Sequence, residues 1–179
     1  MRKREMKLEL YNNKWPEKYQ EIKEELTKLL SGLEIECHHF GSTSIKGMAS
    51  KPIIDVLIFV NNINMVDTYN NSMLNSGYVA KGENGILGRR YFVKYAKDKI
   101  NHLVHLHFYE KEDPKGLQEL QFRDYLIENK TAFDRYLAVK VEASKKYKDM
   151  PEAYQNHKST VIDAINKAVS YTHLTLPTN

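Results

Sequence analysis

The sequence predicts an α+β fold, in which a small mixed β-sheet with packed helices is followed by a C-terminal helical extension. Three observations support this prediction: an amphipathic helix comes first, several short strands follow it, and the pattern is helical from about residue 116. This order differs from the regular strand–helix alternation of parallel α/β proteins. The 179 residues fit a single domain with a sizeable core, which we place at 1–170.

The first predicted element is a helix over residues 15–33. Pro16 suits its first turn, and Gly32 suits its end. Apolar side chains recur at intervals of three and four residues and form one stripe: Trp15, Tyr19, Ile22, Leu26, Leu29, Leu30 and Leu33.

The next elements are mostly strands. Residues 35–40 read as a short strand, and residues 51–60 read as a strand that is apolar on both faces and therefore central. A helix is predicted over 64–77. Residues 78–95 read as two strands joined by a glycine-rich turn, and residues 101–110 read as a further strand. Helices are predicted from residue 116, with breaks near 129–130 and 150–151.

Composition limits the classes of function. A net charge of +4 is too small to indicate a dedicated nucleic-acid-binding protein, but it is compatible with a phosphorylated small ligand. The single cysteine excludes an internal disulfide and suits a reducing cytosol. No apolar run reaches the roughly 20 residues that span a bilayer, so no membrane partner is expected. We therefore predict a cytoplasmic protein.

Both ends of the chain bear on these predictions. The first ten residues are basic but have no apolar stretch behind them, so they do not read as a secretory signal. Residues 171–179 contain no Asp, Glu, Lys or Arg and differ abruptly from the helix before them. We predict that residues 171–179 are a non-native or disordered tail.

A turn and a buried acid mark the candidate site. Gly41 allows close approach of a ligand to the backbone, and Ser42, Thr43 and Ser44 can begin a short helix whose amides favour phosphate. The alternative is an ordinary turn that binds nothing. Asp55 lies within an apolar strand, where a carboxylate is costly unless a cation or a hydrogen-bond donor compensates it.

The spacing of these residues resembles the nucleotidyltransferase signature, in which Gly-Ser is followed by twelve residues and an acid in a hydrophobic strand. Catalytic members of that superfamily carry a second acid two residues later, and this chain has Leu57 there. The segments WPEKYQ, HHFGSTSIKGMASKPIIDVLI, GENGILGRRYF, VHLHFYE, FRDYLIEN and EAYQNHKSTVI resemble the GrpB family in order. That resemblance implies the nucleotidyltransferase fold, while the position of His38 holds Glu in many relatives.

Two histidines offer a replacement for the missing acid. Strand alternation places His105 and His107 on one face, where both can join Asp55 as metal ligands. Imidazole favours transition metals, whereas the nucleotidyltransferase resemblance implies Mg²⁺. The alternative is that the histidines only hydrogen-bond to Asp55 or to the backbone.

Several cations are candidates for phosphate binding. Arg89 and Arg90 point to opposite faces of a predicted strand, so at most one of them readily serves a given site. Lys51 lies close before the Asp55 strand. Tyr154 and Lys158 are one helical turn apart and are candidates for contacts with a base and a phosphate. The alternative for each arginine is a surface position or a structural salt bridge to Glu83. For Lys51 it is a solvated side chain, and for Tyr154 and Lys158 it is helix packing with exposed polar tips.

The functional prediction is a protein that binds a nucleotide or another phosphate-bearing small molecule. In the leading hypothesis Asp55 is catalytic, and a nucleotidyl group passes from a nucleoside triphosphate to an unknown acceptor. The second hypothesis is a non-catalytic nucleotide-binding module, which the absence of an acid at Leu57 favours. A third is a transition-metal enzyme that uses the histidine pair. The sequence decides neither the acceptor nor the oligomeric state.

Overall fold

A computed structural model describes residues 7–174 as a five-stranded mixed sheet with six α-helices. The strands are β1 (Ile35–Phe40), β2 (Ile54–Val60), β3 (Tyr78–Ala80), β4 (Arg90–Tyr95) and β5 (His102–Glu110). The helices are α1 (Lys14–Leu29), α2 (Asn64–Asp67), α3 (Asn70–Asn75), α4 (Pro114–Glu128), α5 (Lys130–Lys146) and α6 (Pro151–Leu174), and a single 3₁₀ turn covers Ser42–Ser44.

The sheet order is β1-β2-β5-β4-β3. Only the β2–β5 pair is parallel among these neighbours, and the other three pairs are antiparallel. The predicted α+β class, with a mixed sheet and a helical extension, is confirmed. The strand predicted as central, β2, lies inside the sheet between β1 and β5.

The two faces of the sheet differ in what they pack against. Val56 and Ile58 of β2 belong to the main core, which includes Trp15 and Leu26 of α1. The opposite face carries the alternate residues of β2, including Asp55 and Leu57. The polar residues of the candidate site therefore lie on the face turned away from α1.

Helix α4 packs closely against this second face. A Cβ on Gly116 would lie 2.8 Å from the Phe59 ring and 3.0 Å from the Tyr109 ring. The missing side chain thus lets α4 approach the sheet and bring Glu119 next to β5, where Tyr109 donates a hydrogen bond to Glu119 at 2.9 Å.

The helical extension begins and breaks close to the predicted positions. Asp113 caps α4, and Asn129 separates α4 from α5 and caps the latter by accepting from the Ala132 amide. The helix predicted over 64–77 is instead two short helices, because Asn and Ser side chains compete with the helical backbone. Helix α6 extends through Leu174, four residues beyond the predicted domain end, and residues 175–179 of the predicted tail lie outside the described residues.

Among the helices of the described region, none combines the length and apolar character that crossing a bilayer requires.

Candidate functional site

A cleft of about 180 Å³ opens beside the Gly41–Ser42 turn, between the sheet and helices α5 and α6. It brings together seven residues that the sequence selected, namely Gly41, Ser42, Lys51, Asp55, His105, Tyr154 and Lys158. We call it the lysine cleft. Its other lining residues are Ser50, Ile53, Tyr136, Lys140 and Gln155.

Asp55 lies at the floor of the lysine cleft, with about 24% of its side chain exposed. Burial alone would raise its pKa, but the hydrogen bond from His105 and the nearby positive charges outweigh burial and lower the pKa. Gly41 packs directly on this carboxylate, since a Cβ there would lie 2.5 Å from Asp55 Oδ2. Gly41 also has φ 68° and ψ −175°, a conformation open almost only to glycine.

His105 links Asp55 to a second histidine. Its Nδ1 lies 2.9 Å from Asp55 Oδ1, and its Nε2 lies 2.7 Å from His102 Nδ1. If His105 bound a metal through Nδ1, its Nε2–H would donate a hydrogen bond to His102. A metal-binding imidazole usually donates its second ring N–H to a neighbouring group in this way.

His107 lies deeper, with Nε2 buried and without a hydrogen-bond partner among the described residues. Burial lowers the pKa of His107 to about 3, so the ring is neutral. Its Nδ1 lies 3.6 Å from Glu119 Oε2 and 3.4 Å from Arg89 Nη1. Ligand atoms of Asp55, His105 and His107 all lie within 4.8 Å of one another, as ligands of one metal ion do.

Three lysines stand opposite this carboxylate. Lys140 is only 2% exposed, and its ammonium donates a 2.7 Å hydrogen bond to the Ala49 carbonyl. The ammonium of Lys158 lies 4.4 Å from the centre of the Tyr154 ring, and that of Lys51 lies 5.1 Å from it. Burial lowers the pKa of Lys158 to about 8 and that of Lys140 well below its usual value. Three lysine side chains thus lie close to Asp55, and burial favours the neutral form of two of them.

Four predicted phosphate ligands have other partners in the structure. Thr43 is fully buried and hydrogen-bonded to His39 at 3.0 Å, and Ser44 donates to the Gly41 carbonyl at 2.6 Å. Both hydroxyls therefore hold the turn together.

Arg89 and Arg90, which were also predicted as phosphate ligands, have other partners too. Arg90 faces the α1 side of the sheet and pairs with Asp67 at 2.7 Å. Arg89 is 5% exposed and bonds the glycine-rich loop through the carbonyls of Glu83 and Asn84. Neither arginine lines the lysine cleft, and both guanidinium groups have protein partners elsewhere.

Sequence reasoning missed Lys140, Glu119 and His102. Lys140 sits in a helix that also carries exposed lysines, and spacing alone does not separate it from them. Glu119 reaches the site only because Gly116 lets α4 approach the sheet. Of these three residues, only His102 could have been selected from the sequence, because it lies three residues before His105 in a histidine-rich strand.

The fold and this cleft define a class: an α+β protein in which one carboxylate and two imidazoles lie beside buried lysines. The family model described as GrpB protein matches residues 5–168, so the chain belongs to the GrpB family. The crystal structure of GrpB from Enterococcus faecalis superposes with a TM-score of 0.85 at 29% identity, over 94% of this chain and 99% of that chain.

Two further relatives come from bacteria other than Enterococcus faecalis. UPF0157 protein YqkA of Bacillus subtilis is 43% identical over 153 residues, which are 85% of this chain and 43% of that protein. This chain thus spans less than half of that relative. UPF0157 protein SCO7215 of Streptomyces coelicolor is 32% identical over 164 residues, 90% of this chain and 82% of that protein. Cid1 poly(U) polymerase superposes over 74% of this chain with a TM-score of 0.46 and 10% identity.

Proposed function

We propose that the lysine cleft binds the phosphates of a nucleotide together with a divalent metal ion, and that the protein transfers a nucleotidyl group from a nucleoside triphosphate. The observation that supports this most strongly is the convergence of Asp55, His105 and His107 beside three lysines. A cytoplasmic location, proposed from the single cysteine, would provide the nucleotide.

The donor set fits a metal ion. The orphaned Nε2 of His107 gains a partner if a cation lies between it and Asp55. One carboxylate with two imidazoles suits Mn²⁺, Fe²⁺ or Zn²⁺ better than the predicted Mg²⁺, which prefers oxygen ligands. His102 lies behind His105 as an outer support, at 2.7 Å. Glu119 Oε2 lies 3.6 Å from His107 Nδ1, beyond hydrogen-bond distance, and a small movement would make it the corresponding support of His107.

The lysines fit the phosphate chain. Three lysine amino groups face one carboxylate in this cleft, so an anion there would favour their protonated forms and gain charge-assisted hydrogen bonds. A buried ammonium whose pKa is lowered benefits from a phosphate more than a solvated one, since the phosphate compensates the cost of burial. Tyr154, between Lys51 and Lys158, presents a ring to the same space.

The reaction we propose joins an acceptor hydroxyl or amino group to the α-phosphorus. The bond from that phosphorus to the bridging oxygen breaks, pyrophosphate leaves with its electron pair, and the acceptor proton passes to water. A bound metal would supply charge neutralisation at the phosphates. Lys140 and Lys158 would hold the pyrophosphate oxygens, and Asp55 would orient the cation.

A non-catalytic module is the second candidate, and Leu57 favours it. Leu57 occupies the place of the second acid and is fully buried in an apolar cluster with Phe40, Phe59 and Tyr109. That position provides no oxygen to a second metal ion. In this case the cleft would bind the nucleotide without turnover.

Calorimetry with Mn²⁺ and ATP tests the proposal on the wild type, on Asp55→Asn and on Asp163→Asn, an exposed acid on α6 that serves as the matched control. We expect binding by the wild type and the control, and at least a tenfold loss in Asp55→Asn. No binding of ATP or GTP to the wild type with Mn²⁺, Mg²⁺ or Zn²⁺ contradicts it. Binding without pyrophosphate release across a panel of alcohols and amines would select the module.

A further inference from the structure

A larger cavity of about 460 Å³ lies on the other side of the Gly41–Ser42 turn. Its walls come from the end of β1, the glycine-rich loop and helices α4, α5 and α6. We call it the apolar cavity, because five of its lining residues are Phe40, Ile45, Ile86, Phe122 and Ile162. Its volume is typical of sites for small molecules, and its walls favour an apolar or aromatic body.

Two polar side chains in these walls have unmet hydrogen bonds. Asn166 Oδ1 on α6 and Glu119 Oε2 on α4 are buried without hydrogen-bond partners among the described residues. An unsatisfied buried acceptor costs about 1–3 kcal/mol, and the terminal torsions of Asn and Glu are soft enough to turn either oxygen toward the cavity. Asn166 Oδ1 is an acceptor, and so is Glu119 Oε2 while its carboxyl is ionised, although burial raises the pKa of Glu119 to about 7. A hydrogen-bond donor on the occupant would satisfy both oxygens.

The apolar cavity adjoins the lysine cleft. Gly41, Ser42 and Tyr136 line both spaces, and the side chains of Ser42 and Tyr136 are hydrogen-bonded to each other. Glu119 of the apolar cavity also lies close to a candidate metal ligand, because its carboxylate is 3.6 Å from His107 Nδ1. A polar group at the Glu119 end of the cavity is therefore next to the candidate metal ligands.

We propose that the apolar cavity is a second ligand site, which takes a small molecule with an apolar or aromatic ring and a hydroxyl or amino group directed at Glu119 and Asn166. Its role as the acceptor of the nucleotidyl group rests on the proposed function. The existence of the site rests only on the cavity and its two unpaired acceptors.

Methyl NMR tests the site with three probes of the same ring size: benzyl alcohol, benzylamine and toluene. The isoleucine methyl groups of Ile45, Ile86 and Ile162 report on the cavity, and Ile22 and Ile58 report on the main core across the sheet. We expect a saturable shift of the cavity methyls with benzyl alcohol or benzylamine, and at least fivefold weaker binding of toluene. No shift with either donor probe, or equal affinity for toluene, overturns the proposal.

Substitutions that fill the apolar cavity test the second ligand site independently of the proposed nucleotide binding. Ile162→Trp, with Ile86→Trp as a second variant, should abolish the probe shifts, whereas Ile127→Trp on the exposed side of α4 should keep them. ATP binding should survive all three changes. Probe binding without ATP binding would refute the proposed function alone, and ATP binding without probe binding would refute this inference alone.

Discussion

The contact between Gly41 and Asp55 gives the sharpest test of the site's geometry. Replacing Gly41 with Ala places a methyl group 2.5 Å from Asp55 Oδ2 and 3.0 Å from Asp55 Cβ. The carboxylate must move, and its 2.9 Å hydrogen bond to His105 is lost or lengthened. Stability and ligand binding should both fall.

The size of the effect is the sum of two costs. A non-glycine residue at φ 68° and ψ −175° costs about 1–3 kcal/mol in backbone strain. Inserting a methyl group into a packed site costs about 1–3 kcal/mol more. We therefore expect a loss of about 4 kcal/mol in the free energy of unfolding, measured by urea unfolding with the buried Trp15 as fluorescent probe.

Gly85 provides the matched control. It has φ +82°, but a Cβ there would meet no heavy atom within 4 Å. Gly85→Ala should therefore cost only the backbone strain, about 1–2 kcal/mol. If both variants lose the same free energy of unfolding, Gly41 does not pack on Asp55 and the described floor of the cleft is wrong.

Three further changes probe the charges around the site. Lys140→Met should weaken ATP binding about 10–150-fold in calorimetry, because a hydrogen bond to a charged group contributes about 1.5–3 kcal/mol. The exposed Lys167→Met should have no effect, and equal affinity in both variants would count against Lys140. The pKa of Lys158 is lowered to about 8, with Lys51 and Asp55 as its charged neighbours, so its ammonium loses its charge as pH rises from 7 to 9. ATP affinity should fall over that range, and Lys158→Arg should flatten the profile; an unchanged profile would contradict the assignment. Glu119→Gln should lower Mn²⁺ affinity about 10–100-fold in a competition assay, whereas the exposed Glu128→Gln should leave it unchanged.

The sequence predicted the strands and long helices well, because periodicity follows from which face of an element is buried. The apolar run of β2 and the alternation in β5 fix which residues share a face, and this placed Asp55, His105 and His107 together correctly. The two short helices between β2 and β3 were predicted as one, since a polar segment rich in Asn gives a weak pattern.

Side-chain partners were harder to predict than faces. Arg89 was predicted as a phosphate ligand, yet the carbonyls of the glycine-rich loop hold its guanidinium. Thr43 and Ser44 have the residue types of a phosphate loop, but their hydroxyls bond within the turn. The hydrogen-bond partner of each side chain depends on which groups tertiary packing brings next to it, and a single sequence does not show that packing.

Lys140 illustrates the limit most clearly. It is one of several lysines on α5, and only the packing of α5 and α6 makes it buried beside Lys158 and Tyr136. The spacing that revealed Tyr154 and Lys158 lies within one helix, whereas the partner of Lys140 is the Ala49 carbonyl, 91 residues earlier. Local patterns do not contain that contact.

Pulsed electron paramagnetic resonance of bound Mn²⁺ tests whether Asp55, His105 and His107 hold a metal ion beside a nucleotide, because it identifies the nuclei around the metal. We expect nitrogen couplings from two imidazoles, reduced to one in His107→Ala, together with a phosphorus coupling when ATP is added. A Mn²⁺ signal with water couplings alone, unchanged by ATP and by His107→Ala, would show that the carboxylate and imidazoles of this cleft do not hold a metal ion beside a nucleotide.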